Sequence, residues 1–186
     1  MKHNLLNEPL IQTDAGWHSL SGLMASMTCG DVFAFPAMRP HQRPAWHMFL
    51  VQLATLGLDA VGRQELPASE ADWAAALRAL TPDDPDDASW HLVVEDSSRP
   101  AFMQPSDPGG LKWSDVTTPD ALDMLITSRN HDIKAHIAQQ AAPQDWVFAL
   151  VSVQTMEGYG GAGNHGIARM NGGSSSRAML TLAPLD

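Results

Sequence analysis

The residues best suited to chemistry in this chain are 154–177, which read Gln-Thr-Met-Glu-Gly-Tyr-Gly-Gly-Ala-Gly-Asn-His-Gly-Ile-Ala-Arg-Met-Asn-Gly-Gly-Ser-Ser-Ser-Arg. This stretch holds seven of the protein's 14 glycines, and no carboxylate occurs from Gly158 to Leu185. Glycine has no Cβ and tolerates φ > 0, so a glycine-dense backbone approaches a ligand closely. Arg169, Arg177 and His165 stand in the same acid-free stretch. Such a loop suits a polyanion. Gly160, Gly161, Ala162 and Gly163 offer backbone N–H groups, Asn164 and Asn171 side-chain amides, and Arg169 and Arg177 phosphate contacts. On these residues alone, nucleic-acid binding and a tight crossing against a neighbouring element stay equally open.

Other chemistries are weighed on the same grounds. Residues 158–163 match G-x-G-x-x-G, which makes a small-molecule or nucleotide-binding enzyme the rival reading. That fingerprint needs a helix starting inside it and an acid about 20 residues on. Here Gly166, Gly172 and Gly173 would break the helix, and the next acid is Asp186. His41 and His47 are six apart and His131 and His136 five apart, spacings that fit no metal-binding helix. Ser174, Ser175 and Ser176 lie in a Gly/Ser run with no G-x-S-x-G elbow. The sequence therefore proposes no catalytic residue, no metal and no cofactor, and the expected protein is not an enzyme.

Composition sets the frame. The 186 residues fit one domain with a real core, and 44% apolar against 17% charged residues is a globular balance. Cys29 is the single cysteine, so no intrachain disulfide forms. Neither a signal peptide nor a membrane-spanning run is visible, so a cytoplasmic protein without a membrane partner is expected. The net charge of −10 is uneven. Residues 59–123 carry 14 acids against Arg63, Arg78, Arg99 and Lys112, and so hold all of it. A nucleic acid would have to meet the neutral flanks. The acidic middle reads as a solvated face plus a loop containing Asp83, Asp84, Asp86 and Asp87.

The fold class expected is α+β, an irregular mixed domain with an N-terminal hairpin, several buried helices and a C-terminal glycine-rich loop. Residues 10–13 and 17–20 flank Asp14-Ala15-Gly16, predicting a hairpin with a turn of three or more residues. Ser19 or Ser21 caps a short helix through Met27. Pro36, Pro40 and Pro44 keep residues 31–44 extended or irregular. Residues 45–58 are apolar nearly all round and predict a buried helix. Ser69 with Asp72 resembles a capping box opening a helix to Leu80. Residues 90–94 read as a strand and 99–105 as irregular. Thr118 followed by Pro119 starts a helix to about Thr127. Residues 128–142 are polar and mildly basic, a loop or a loosely held helix. Residues 144–156 form a second buried apolar run, in which β-branched residues leave helix or strand open and length favours helix.

These motifs resemble the large subunit (CasA type) of the type I-E CRISPR Cascade complex. Asn4-Leu5-Leu6-Asn7-Glu8-Pro9 is similar to that family's opening NLL-x-x-x-W-I, with Leu10 where tryptophan is usual. Arg99-Pro100-Ala101-Phe102-Met103-Gln104 resembles its PF-x-Q stretch, with Ala101 inserted. Residues 130–134 followed by 154–173 are the most specific part, and the motifs keep the family's order along the chain. The resemblance implies a non-enzymatic DNA-recognition and assembly subunit that probes the short motif beside a target, the PAM. Its partners would be other Cascade subunits, the guide RNA, a double-stranded DNA target and a recruited helicase–nuclease. Carried over by position, the probing loop is Gly160, Gly161, Ala162 and Gly163 with Asn164. A second loop, contacting the complex or the PAM, falls within 128–136 and includes Arg129, Asn130, His131 and Lys134. Family members run to several hundred residues and end in a helical bundle, so this chain reads as an N-terminal portion, residues 1–186 forming one unit.

Overall fold

The computed structural model describes residues 2–113, 115–122 and 140–155. The architecture is α+β: among the described residues an antiparallel hairpin near the N-terminus leads into four α-helices joined by irregular chain. Strands β1 (Ile11–Thr13) and β2 (Gly16–His18) pair with Thr13 opposite Gly16, so the turn is only Asp14-Ala15, tighter than the sequence predicts. Gly16 makes this possible by taking a φ of 126°, which a side chain would resist. Thr13 Oγ1 closes the turn by donating to the Gly16 carbonyl at 3.1 Å.

Helix α1 (Leu20–Thr28) starts where Ser19 Oγ accepts from the Gly22 N–H at 2.9 Å. Helix α3 (Glu70–Arg78) starts the same way, with Ser69 Oγ accepting from the Asp72 N–H at 3.1 Å. The Asp72 carboxylate turns instead to Arg63, 3.3 Å away. Between them lies helix α2 (Arg43–Ala60), with Pro44 in its first turn, where the missing N–H costs nothing. Expected to be buried all round, α2 buries Trp46, Phe49, Leu50, Leu53 and Gly57 and exposes His47, Gln52, Thr55 and Leu56. One face alone meets α3 and helix α4 (Pro143–Thr155), so part of its apolar surface has no cover among the described elements. Helix α4 settles the choice that β-branched residues left open. It is helical, and Val147, Phe148 and Val151 are fully enclosed.

The core is aromatic at its centre. Trp46 and Phe148 meet edge to face at 5.1 Å, Phe35 stands against both, and Phe49 bridges from Trp46 to Phe102. Such pairs add roughly 1 kcal/mol each beyond area burial. Residues 90–94, expected as a strand, form none. They hold a single bridge, Asn4 opposite His91, after a 3-10 turn at Ala88–Trp90. Their backbone groups are nonetheless used, since the Leu92 N–H donates to His3 (3.0 Å) and His91 accepts from the Phe102 N–H (2.9 Å). Irregular partners on both sides prevent a regular ladder. At Thr118 the described chain makes a 3-10 turn, Pro119–Ala121, without a side-chain cap bond. The rest of the helix expected there lies outside the described residues.

The acidic loop is also more than a solvated face. Asp83 and Asp86 are exposed, but Asp84 and Asp87 are half-buried and structural. Asp87 accepts from Arg78 Nε at 3.0 Å and Nη2 at 2.9 Å, and from Asn4 Nδ2 at 3.3 Å. Asp84 accepts from the Ser89 N–H at 2.6 Å and pairs with Arg99 at 3.3 Å. The Arg78 bond holds the Asp87 carboxyl below its usual range. For Asp84, burial pushes upward, and its bonds to Ser89 and Ala88 together with the Arg99 charge outweigh it to bring the pKa down.

Candidate functional site

The residues that the sequence singles out for DNA contact lie outside the described residues. Gly160, Gly161, Ala162, Gly163, Asn164, Arg169 and Arg177 all follow Thr155, and Arg129, Asn130, His131 and Lys134 fall between Leu122 and Gln140. What is described is the ground from which both stretches depart. Leu122 and Gln154 line one cleft of about 680 Å³, and α4 packs on the 3-10 turn at Pro119–Ala121.

The walls of this cleft follow from local structure. Leu92, Trp146, Leu150 and Val153 give it an apolar interior, three of them from one face of α4. At the rim, Asp107 accepts from the Gly109 N–H at 2.8 Å and from Trp113 Nε1 at 3.0 Å, an Asx-type turn that fixes the half-exposed indole. Arg99, also at the rim, is 3.3 Å from Asp84 and 3.7 Å from Asp86. Its charge is engaged by neighbouring acids. The described rim therefore offers a phosphate no uncommitted arginine, and the candidate cations belong to the segments beyond Leu122 and Thr155.

Under the cleft lies a tightly fixed turn. The Ala101 N–H donates to the Gln104 carbonyl at 2.9 Å, and the Gln104 N–H returns to the Ala101 carbonyl at 3.0 Å. Met103 pays for this closure with a left-handed φ of 55°, unusual for a residue with a Cβ. Gln104 Nε2 anchors the turn to the Leu92 carbonyl at 3.0 Å. From the other side Gln154, in the last turn of α4, donates Nε2 to the Met103 carbonyl at 2.9 Å and is itself buried. Nothing in residue type announces a left-handed methionine. The amide pair Gln104 and Gln154 is visible in the sequence, but its meeting point is not.

Among the described residues, no group of three or more His, Cys, Asp or Glu side chains is arranged to hold a metal ion. His41 and His47 are among those described, whereas His131, His136 and His165 lie outside them. Cys29 is exposed, its Sγ 4.0 Å from the Ala68 carbonyl. Among the described residues no helix is long and apolar enough to cross a membrane. No family model, curated protein or solved structure matches the chain.

Proposed function

We propose that this chain is a DNA-recognition and assembly component of a type I-E CRISPR surveillance complex, a CasA-type subunit that probes the PAM duplex and licenses unwinding. The observation that carries the reading is the acid-free run Gly158-Tyr159-Gly160-Gly161-Ala162-Gly163-Asn164, in the family's order behind residues 130–134. Leu122 and Gln154, the described residues that precede the two stretches in sequence, line one cleft. The minor groove is narrow and its code degenerate, so a backbone without side chains enters it and senses width and the guanine amino group. Target sequence is then read by guide pairing, while strand cleavage belongs to a helicase–nuclease recruited in trans. Cytoplasmic residence follows from that role.

The test is duplex binding by the reconstituted complex, guide RNA included, with and without a correct PAM at two salt concentrations. Gly160→Val should block groove entry and abolish PAM discrimination while the complex still assembles. Replacing Arg177 should weaken all duplexes alike and reduce the salt slope by about one. A Gly160→Val complex that discriminates as well as wild type sinks the reading. The cleft itself favours a second reading, a small-molecule or nucleotide-binding enzyme using residues 158–163, since about 680 Å³ is within the size range of ligand pockets. A melting-temperature rise with a nucleotide, absent with DNA, would favour that reading.

A further inference from the structure

We propose that the cleft beside α4 is a binding site for a small organic cation with an apolar body, of the alkylammonium or quaternary ammonium class. This goes beyond the DNA-recognition reading and uses none of its contact residues. The cavity of about 680 Å³ has room for such a molecule. Leu92, Leu150 and Val153 give the apolar body a surface, and two tryptophans, Trp113 and Trp146, stand in the wall. The rings of these two are not committed to the core cluster. Trp46 sets its ring against Phe35, Phe49 and Phe148, whereas neither Trp113 nor Trp146 is in ring contact with another aromatic among the described residues. Trp113 is 59% exposed yet held in place, because its Nε1–H donates to Asp107 Oδ2 at 3.0 Å while Oδ1 accepts from the Gly109 N–H at 2.8 Å. An indole tied at its polar edge loses little freedom on binding, and the negative face of its ring attracts a cation.

Charge selects the sign of the ligand. Residues 92–107 and 112–116 supply most of the wall and carry Glu95, Asp96, Asp107 and Asp115 against Arg99 and Lys112. Arg99 is further matched from outside the wall by Asp84 at 3.3 Å and Asp86 at 3.7 Å. Both hydrogen bonds to Asp107 come from neutral N–H groups, so the carboxylate meets no counter-charge in them. A concave apolar wall under an acidic rim raises the local concentration of cations. An anion is repelled there, and a neutral molecule gains burial alone. An organic cation gains burial, the indole faces and the rim charge together. Ordinary ammonium is strongly hydrated, so an alkylated nitrogen, which gives up less water, is the better fit.

The test titrates the full chain calorimetrically with three probes, and the melting temperature of every variant is measured in parallel. The probes are choline, its uncharged isostere with a tert-butyl group in place of the trimethylammonium, and phenyl phosphate as the anion. Choline should bind at one site about tenfold more tightly than the isostere, the gain expected from two indole contacts. Phenyl phosphate should not compete with it. Asp107→Asn keeps an oxygen to accept from Gly109 but loses the charge, and should bring choline to within about threefold of the isostere. Trp113→Leu keeps an apolar wall without the ring, and should weaken choline by about threefold to fivefold while the isostere changes little. Trp113 is largely exposed, so this variant should melt with wild type. If it does not, Asp107→Asn decides. Choline binding no tighter than the isostere overturns the inference, as does an absence of choline binding or a preference for phenyl phosphate. A choline preference that survives both Asp107→Asn and Trp113→Leu overturns its placement in this cleft.

Discussion

Asp87 gives a stability prediction whose parts separate cleanly. Its carboxylate accepts from Arg78 at 2.9–3.2 Å in a forked arrangement and from Asn4 at 3.3 Å, while its own φ is 55°. Hydrogen bonds to a charged group contribute about 1.5–3 kcal/mol when shielded. Arg78 is 42% exposed, so solvent screening reduces the latch to about 1–2 kcal/mol. The left-handed backbone adds roughly 1 kcal/mol of strain for alanine, little for asparagine and none for glycine. Asp87→Gly should therefore cost about 1–2 kcal/mol, Asp87→Ala about 2–3, and Asp87→Asn about 1 or slightly more. Urea unfolding with an unchanged m-value reads these differences directly. The Arg78 bond depresses the carboxyl pKa, so the latch is fully present above the ordinary aspartate value and fades as pH falls through the lower folded value. Wild type and Asp87→Asn should converge in strong acid. If alanine and glycine variants are equally stable, the conformational part of the reasoning is wrong. If the gap between wild type and Asp87→Asn does not close on acidification, the electrostatic part is wrong.

Two further outcomes follow from packing. A Cβ on Gly57, inside α2, would meet Ala76 Cβ at 3.6 Å, an ordinary contact, so Gly57→Ala should stabilise by about 0.5–1 kcal/mol, and a lower denaturation midpoint would refute this. Phe148 is 1% exposed between Trp46 and Phe35, so Phe148→Ala should cost about 3–5 kcal/mol, and a loss under 1 kcal/mol would show that this cluster is not the centre of the core.

Local signals in the sequence marked the element starts well. Ser19 and Ser69 announce their helices because a hydroxyl before an apolar run satisfies an exposed N–H group, and both do so in the structure. The hairpin was legible from Asp14-Ala15-Gly16, although the turn is tighter because Gly16 itself enters β2. Long-range matters were not legible. Residues 90–94 have the propensity of a strand, yet pairing depends on partners some 85 positions earlier and ten later, and neither is regular. Asp84 and Asp87 look like loop charges by composition. Only the fold brings Arg99 and Arg78 to them. For the candidate site, the density of glycine and the absence of acids in 158–185 are visible in the sequence, and by themselves they leave nucleic-acid binding and a tight crossing equally open. The tie between Gln154 and Met103 depends on a backbone angle that no residue type encodes.

The placement of the N-terminal segment also sets an order of events during synthesis. Leu5 donates to the Trp90 carbonyl at 2.9 Å, Leu92 to His3 at 3.0 Å and Val93 to Lys2 at 3.1 Å, so the first residues find their partners nearly half a chain later. Leu5 and Leu6 are both enclosed in the core, where the Leu5 carbonyl also accepts from the Leu20 N–H, and their segment is complete only once residues 90–93 have been made. At about 5–20 residues per second the delay is several seconds. The high sequence separation of these contacts also makes them late and slow in refolding, after α2 and α3 have formed from local pieces.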